Sequence, residues 1–211
     1  MTVRVINLGL PKSGTTTLAV ALEKAGLTVA DFRIRRGKCP DPTLAGSYVG
    51  RQMYEGYFQT GDPLDRLQGF DALTEISVLS TRLCLWPQTD FGVLDALRHR
   101  HPDLRFVASR RDAREMSGSM LRWSDLGSDR VPGGNIPGLP KGYGETTLER
   151  VQWIEAHHAF LRHIFAGDDR FLEYDTADDA APALIGAHLG LDLPWWGKAN
   201  ANTDLPARGV A

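Results

Sequence analysis

Residues 3–25 constrain the fold more than any other stretch of this chain. A β-branched, apolar run, Val3-Arg4-Val5-Ile6-Asn7-Leu8, ends at Gly9 and leads into Pro11-Lys12-Ser13-Gly14-Thr15-Thr16-Thr17. Leu18, Ala21, Leu22 and Ala25 then recur at helical spacing, and Gly26 closes the helix. The pattern predicts a strand, a glycine-containing loop and a helix. Unpaired backbone N–H groups and the positive end of the helix dipole converge in such a loop, which makes it a ready anion site. Leu27-Thr28-Val29-Ala30 predicts a second strand, so the chain opens as a βαβ unit with a right-handed crossover, the start of an α/β fold on a parallel sheet.

The alternation continues. The spacing predicts a helix within Thr43–Phe58, a third strand over Phe70–Ile76, and a helix over Phe91–Arg100 that stops before Pro102. Leu104–Ser109 reads as the next strand and Asp112–Trp123 as the helix after it. Residues 124–144 carry many glycines and prolines without hydrophobic periodicity, which marks a long loop and a candidate lid. A capping box, Thr146 with Glu149, starts an amphipathic helix whose stripe of Leu148, Val151, Ile154, Leu161 and Phe165 is expected to face the sheet. Arg170–Tyr174 reads as a last strand and Asp178–Leu189 as a last helix.

The 211 residues suit one domain, 1–211, with a central parallel sheet flanked by helices. A formal charge of −2 argues against a broad nucleic-acid footprint, so any anion site must be local. No run of about 18 apolar residues suggests a membrane span, and the opening residues resemble no targeting segment, which makes a soluble, cytoplasmic protein the expectation. Cys39 and Cys84 lack metal-ligand spacing and read as free thiols. His99, His101, His157, His158 and His163 offer no convincing ligand set, and no metal is expected.

The loop itself narrows the ligand. A Walker loop ends in Gly-Lys-Ser/Thr, with the lysine on the terminal phosphates and the hydroxyl on Mg²⁺. Here Thr15 follows Gly14 and the lysine stands upstream, at Lys12. ATP with its metal is therefore disfavoured, and a P-loop nucleotide kinase or NTPase is the weaker alternative. Pro11-Lys12-Ser13-Gly14-Thr15-Thr16-Thr17-Leu18 resembles the PKSGTTxL loop of sulfotransferases that use 3′-phosphoadenosine-5′-phosphosulfate (PAPS). The resemblance implies a P-loop-like sulfotransferase fold, PAPS as donor and adenosine 3′,5′-bisphosphate (PAP) as product. It assigns the phosphosulfate to Lys12, with Ser13, Gly14, Thr15, Thr16 and Thr17 around the 5′-phosphate.

A second motif follows in the order the resemblance requires. Phe106-Val107-Ala108-Ser109-Arg110-Arg111 leaves a strand, and Ser119 lies eight residues beyond Arg111. This is similar to the family's strand-end 3′-phosphate motif, in which a guanidinium forks onto the phosphate and a serine completes it. Ala113 stands where the family has proline, and Arg110 and Ser117 are neighbours that a shift of register would select. The later Phe171–Asp175 strand, the His188-Leu189-Gly190-Leu191 helix end and the Lys198–Asn202 segment extend the likeness to small bacterial members. Arg208-Gly209 is faintly similar to a late basic contact with the 3′-phosphate.

Sulfuryl transfer needs one base and at least one cation. Asp71, Leu73 and Glu75 share a face of the third strand, and Glu75 lies nearer its carboxyl end, where α/β sheets place their ligands. Glu75 is therefore the candidate base and Asp71 its competitor. Arg33, Arg35, Arg36 and Lys38 form a basic run, read either as a solvated face or as an acceptor patch. The acceptor is expected to be a small molecule or carbohydrate bearing a hydroxyl or amine. A PAPS-binding module without catalysis is the third reading.

Overall fold

The computed structural model describes residues 3–39 and 41–199. Arg208-Gly209 and Asn200-Ala201-Asn202 lie outside the described residues. Five strands form the central sheet, all parallel: β1 (Val5–Asn7), β2 (Val29–Asp31), β3 (Ala72–Glu75), β6 (Arg105–Arg110) and β7 (Phe171–Asp175), in the order β2-β3-β1-β6-β7. Two short antiparallel strands, β4 (Val78–Leu79) and β5 (Cys84–Leu85), make a separate ribbon beyond β3. The helices are α1 (Thr15–Lys24), α2 (Val49–Thr60), α3 (Phe91–Arg100), α4 (Ala113–Leu121), α5 (Val131–Gly133), α6 (Thr147–Ile164) and α7 (Ala181–Leu189).

Both faces of a parallel sheet must be covered, and the period-two alternation of the strands does this here. Ile6, Leu8, Leu73, Phe106 and Ala108 enter one core with Met53 of α2, Leu94 and Leu97 of α3, and Leu161 near the end of α6. Val5, Ala72, Val107 and Tyr174 enter the opposite core with Leu18 and Leu22 of α1 and Ile185 of α7. Neighbouring residues of one strand thus serve different helix layers, so a slip of one register would invert both cores.

Three expectations are modified. The helix sought within Thr43–Phe58 begins only at Val49: residues 42–44 form one tight turn, Gly46 takes a φ of +87°, and Ser47 is held by the Ile34 N–H. Leu148 of the α6 stripe is 61% exposed, whereas Trp153, His157 and His158 are buried in its place. Polar atoms on the buried face explain the shift: the Trp153 indole N–H donates to the Pro137 carbonyl at 3.2 Å, and His157 Nε2 donates to the Leu8 carbonyl at 2.8 Å. Finally, segment 124–144 is built rather than bare. It contains a wide helical turn, Leu126–Arg130, then α5 and a bridge between Ile136 and Leu139. Leu126, Val131, Ile136 and Leu139 pack with Met116, Met120, Trp86 and Trp153 in a third core. Each apolar side chain is aimed by its own turn, so no sequence period reveals it.

Arg150 holds the end of that segment. Its side chain is 1% exposed. The guanidinium donates to the Gly144 and Glu145 carbonyls at 2.6 and 2.8 Å and to Ser117 Oγ at 2.8 Å. Replacing it with an apolar chain leaves the Gly144 carbonyl and the Ser117 hydroxyl, both on buried residues, without this donor, each costing about 1–3 kcal/mol. R150M should therefore lower unfolding stability by roughly 3 kcal/mol or more in urea titrations, while L148A on the exposed side of the same helix should change it by less than about 0.5 kcal/mol.

Candidate functional site

The loop between β1 and α1 is fixed from beneath. Asn7, buried at the carboxyl end of the central strand, donates through Nδ2 to the Thr74 carbonyl on β3 at 2.9 Å and to Ser109 Oγ on β6 at 3.1 Å. Its Oδ1 accepts from the Gly9 and Ser109 N–H groups at 3.1 and 3.0 Å. Ser13 and Ser109 share a hydroxyl hydrogen bond of 2.6 Å, and the Ser13 N–H donates to the Leu10 carbonyl. Ser13 thus braces the loop from inside, with its hydroxyl and N–H both engaged by the protein. Gly9 must lack a side chain, because a Cβ there would stand 2.2 Å from Ser109 Oγ and 2.7 Å from the Ser109 carbonyl oxygen.

Two residues of the loop take left-handed backbone. Gly14 has φ +105°, and a side chain would also meet Thr176 at 2.6 Å. Lys12 has φ +71°, a conformation that non-glycine residues adopt only when their surroundings impose it. The result is a concave run of amides. The first helical hydrogen bond is Leu18 N–H to the Gly14 carbonyl, and among the described residues no protein group accepts from the N–H of Gly14, Thr15, Thr16 or Thr17. Four donors at a helix start, with Lys12 beside them, match an oxyanion. Thr15 is buried, Thr16 half-buried, and Thr17 Oγ1 accepts from Ala199 N–H at 3.4 Å.

One flank of the loop is cationic. The Lys12 ammonium lies 3.7 Å from the centre of the Trp123 ring. Its pKa is lowered by burial first, then by the charges of Arg111 and Arg122. Arg111 is therefore on the Lys12 side, held there by a two-nitrogen contact with Glu115 at 3.1 and 3.0 Å. Arg110 turns the other way, to Glu155 of α6 at 3.4 Å. The two serines separate likewise: Ser117 is taken by Arg150, whereas Ser119 is buried without a side-chain partner among the described residues.

The other flank is carboxylic. Glu75, 8% exposed, takes hydrogen bonds from the N–H and Oγ of Ser77. Burial raises its pKa to about 8, Asp31 adding to the effect and Ser77 and Thr15 opposing it. Asp31 faces it across the sheet, and its own pKa is raised, by burial, although Thr74 Oγ1 donates to it at 3.2 Å. Asp71 is at the opposite end of β3, where it accepts from the Thr28 N–H at 2.9 Å and lies 3.5 Å from Arg4. Thr15 of the loop is near enough to Glu75 to oppose that rise, whereas Asp71 bonds with Thr28 and Arg4 instead.

Sequence reasoning missed Asn7, Asp31, Ser77, Ser109, Arg122 and Trp123. A polar residue inside the run Val5-Ile6-Asn7-Leu8 was the signal for Asn7, and a carboxylate at the end of a strand was the signal for Asp31. Nothing in the sequence distinguishes Trp123 from the exposed end of a helix. Among the described residues no group of three His, Cys, Asp or Glu side chains could hold a metal ion, and no helix is long and apolar enough to cross a membrane. His157, pushed down to about 4 by burial, is neutral and serves as a donor to Leu8.

No family model matches the chain. No curated protein matches it. Among solved structures it is similar to mouse sulfotransferase SULT7A1 complexed with PAP, at 14% identity and a TM-score of 0.45, over 90% of this chain. The chain spans 58% of that structure.

Glu75 has a folded-state pKa above its ordinary value, so the native state retains a proton that the unfolded chain releases. That contribution to stability is complete below the ordinary carboxylate range and is lost as pH rises through about 8. The melting temperature should fall between pH 5 and 8.5, and E75Q, which cannot ionise, should flatten that decline in a calorimetric pH series. A wild-type decline that E75Q leaves unchanged would place the titration elsewhere.

Proposed function

We propose that the chain is a PAPS-dependent sulfotransferase that moves a sulfuryl group onto an acceptor hydroxyl or amine. One observation carries the reading: a concave, unpartnered run of amides at Gly14–Thr17 lies beside a set of cations, Lys12, Arg111 and Arg122, whose mutual repulsion an anion would relieve. A donor with an anionic group at each end suits that arrangement. Lys12 meets the phosphosulfate, the amides and hydroxyls of Gly14, Thr15, Thr16 and Thr17 hold the 5′-phosphate, and Ser13 keeps the loop in shape. Arg111 and Ser119 take the 3′-phosphate, the guanidinium exchanging Glu115 for the stronger anion.

Transfer is an in-line displacement. The acceptor oxygen or nitrogen attacks sulfur, the bond from sulfur to the bridging phosphate oxygen breaks, and the acceptor proton passes to Glu75. Charge grows on the departing 5′-phosphate of PAP, where the Lys12 ammonium stabilises it. A base with a pKa near 8 is close to the working pH, which general-base catalysis favours. The limb of kcat/KM governed by Glu75 should accordingly rise with pH through about 8.

The donor assignment is tested by calorimetry: PAP should bind at least ten times more tightly than ATP, and without Mg²⁺. Equal affinity for ATP, or a strict requirement for Mg²⁺, would support a nucleotide kinase or NTPase instead. The catalytic assignment is tested with labelled PAPS and a confirmed acceptor. E75Q should reduce kcat by roughly 10²–10⁴-fold with PAP affinity nearly intact, whereas K12A should damage both, because its charge meets the donor before and during reaction. Undiminished turnover in E75Q would exclude Glu75 as the base.

A further inference from the structure

The cavity beside Asp31, the register partner of Glu75, has a chemistry of its own. About 460 Å³ in volume, it is lined by Asp31, Phe32, Arg33, Arg35, Arg36 and the Gly46 turn, among others. It begins where β2 leaves the sheet: Asp31 is the register partner of Glu75, and the Phe32 N–H donates to the Glu75 carbonyl at 2.9 Å. A second, narrower cavity between α1 and β2 shares Asp31, Arg33 and Arg35 with the first and reaches Thr16 of the loop. The basic cavity and the loop therefore open along the same edge of the sheet.

Its walls are preset. Phe32 sits at φ +45°, a conformation the chain adopts here at a cost, and this turns its ring outward, 39% exposed, edge-on to Tyr48 at 5.2 Å. The Arg33 Nε donates to the Gly46 carbonyl at 2.8 Å and the guanidinium lies 5.7 Å from the Tyr48 ring centre, which fixes the fork while its two terminal nitrogens bond no protein atom among the described residues. Lys38 is neutralised by Glu23. Arg35 and Arg36 form no ion pair among the described residues, and Asp31, on the floor beside Glu75, is the carboxylate that lines the cavity. Three guanidinium groups and an aromatic edge in a cavity that begins at the register partner of Glu75 fit a ligand that is planar or ring-shaped at one end and anionic at the other.

We propose that this cavity selects an acceptor carrying a carboxylate or comparable oxyanion, held by Arg33, Arg35 and Arg36 so that its hydroxyl or amine reaches Glu75. The proposal rests on the sulfotransferase reading for the role of the bound molecule. It assigns the basic run to acceptor recognition rather than to a solvated face.

Binding of 4-hydroxybenzoate and its neutral, near-isosteric partner 4-hydroxybenzamide, each measured by calorimetry with PAP saturating, tests it. The wild type should prefer the carboxylate by at least about tenfold, the worth of one charge-assisted hydrogen bond. R35A/R36A should abolish that preference while binding the amide and PAP as before. Because Arg33 also braces the Gly46 turn, R33A is the second variant, compared at the same fraction folded. Equal binding of the two probes by the wild type, or a preference that survives in R35A/R36A and R33A alike, overturns the acceptor assignment and leaves the donor reading standing. Failure of PAP to bind overturns both.

Discussion

The Asn7 carboxamide joins the three middle strands at the end where the loop emerges. Its two hydrogens and its oxygen reach β3, β6 and the backbone of Gly9. An amide buried at 1% exposure is tolerable only if satisfied, and this one makes four hydrogen bonds. The loop inherits its position from that junction. Ser109, oriented by Asn7, holds Ser13, and Gly9 leaves room for both. Lys12 can then occupy left-handed backbone because the residues on either side of it are already committed. The amide nest is therefore a consequence of tertiary hydrogen bonding as much as of the loop's own glycines.

Around this junction the molecule keeps unlike charges apart. Lys12 is pressed toward its neutral form by burial and by two arginines, and Glu75 toward its neutral form by burial and by Asp31. Each flank thus carries an electrostatic cost in the free protein, and the costs have opposite remedies. An oxyanion in the nest would restore the ammonium of Lys12, and a proton is what Glu75 is disposed to hold. Strain and unfavourable charge retained at one edge of an otherwise well-packed sheet are characteristic of sites shaped for a ligand rather than for stability.

How much of this was legible follows from where each signal resides. The order of strands and helices was, because alternation, the Thr146–Glu149 capping box and the stop at Pro102 are local. The nest was too, since left-handed backbone and close approach leave glycine at Gly9 and Gly14. What could not be read was anything decided by a distant partner. Leu148 looks like a core residue and is exposed, while Arg150, His157 and His158 look like surface residues and are buried, because their partners are Ser117, Leu8 and Glu173. The separation of Arg110 from Arg111 is partly of the same kind: Arg111 turns to its local neighbour Glu115, but Arg110 finds Glu155 only once α6 has packed.

The carboxylate flank owes its geometry to an irregularity of the sheet. In the β2–β3 ladder Val29 pairs with Ala72 and Ala30 with Leu73, but Asp31 pairs with Glu75, so Thr74 is passed over. A shift of this type adds twist and re-aims side chains at a sheet margin. Here it sets two acidic residues opposite one another, where a regular ladder would have paired Asp31 with Thr74. The skipped Thr74 remains in place to donate its hydroxyl to Asp31, while its carbonyl accepts from Asn7. The bulge is thereby tied to the junction that fixes the loop. Beyond Asp31 the chain leaves the sheet through the strained Phe32, whose N–H caps the Glu75 carbonyl, and opens the basic cavity. One displaced residue pair in an edge strand thus adds the Asp31 charge to the burial that already raises the affinity of Glu75 for a proton.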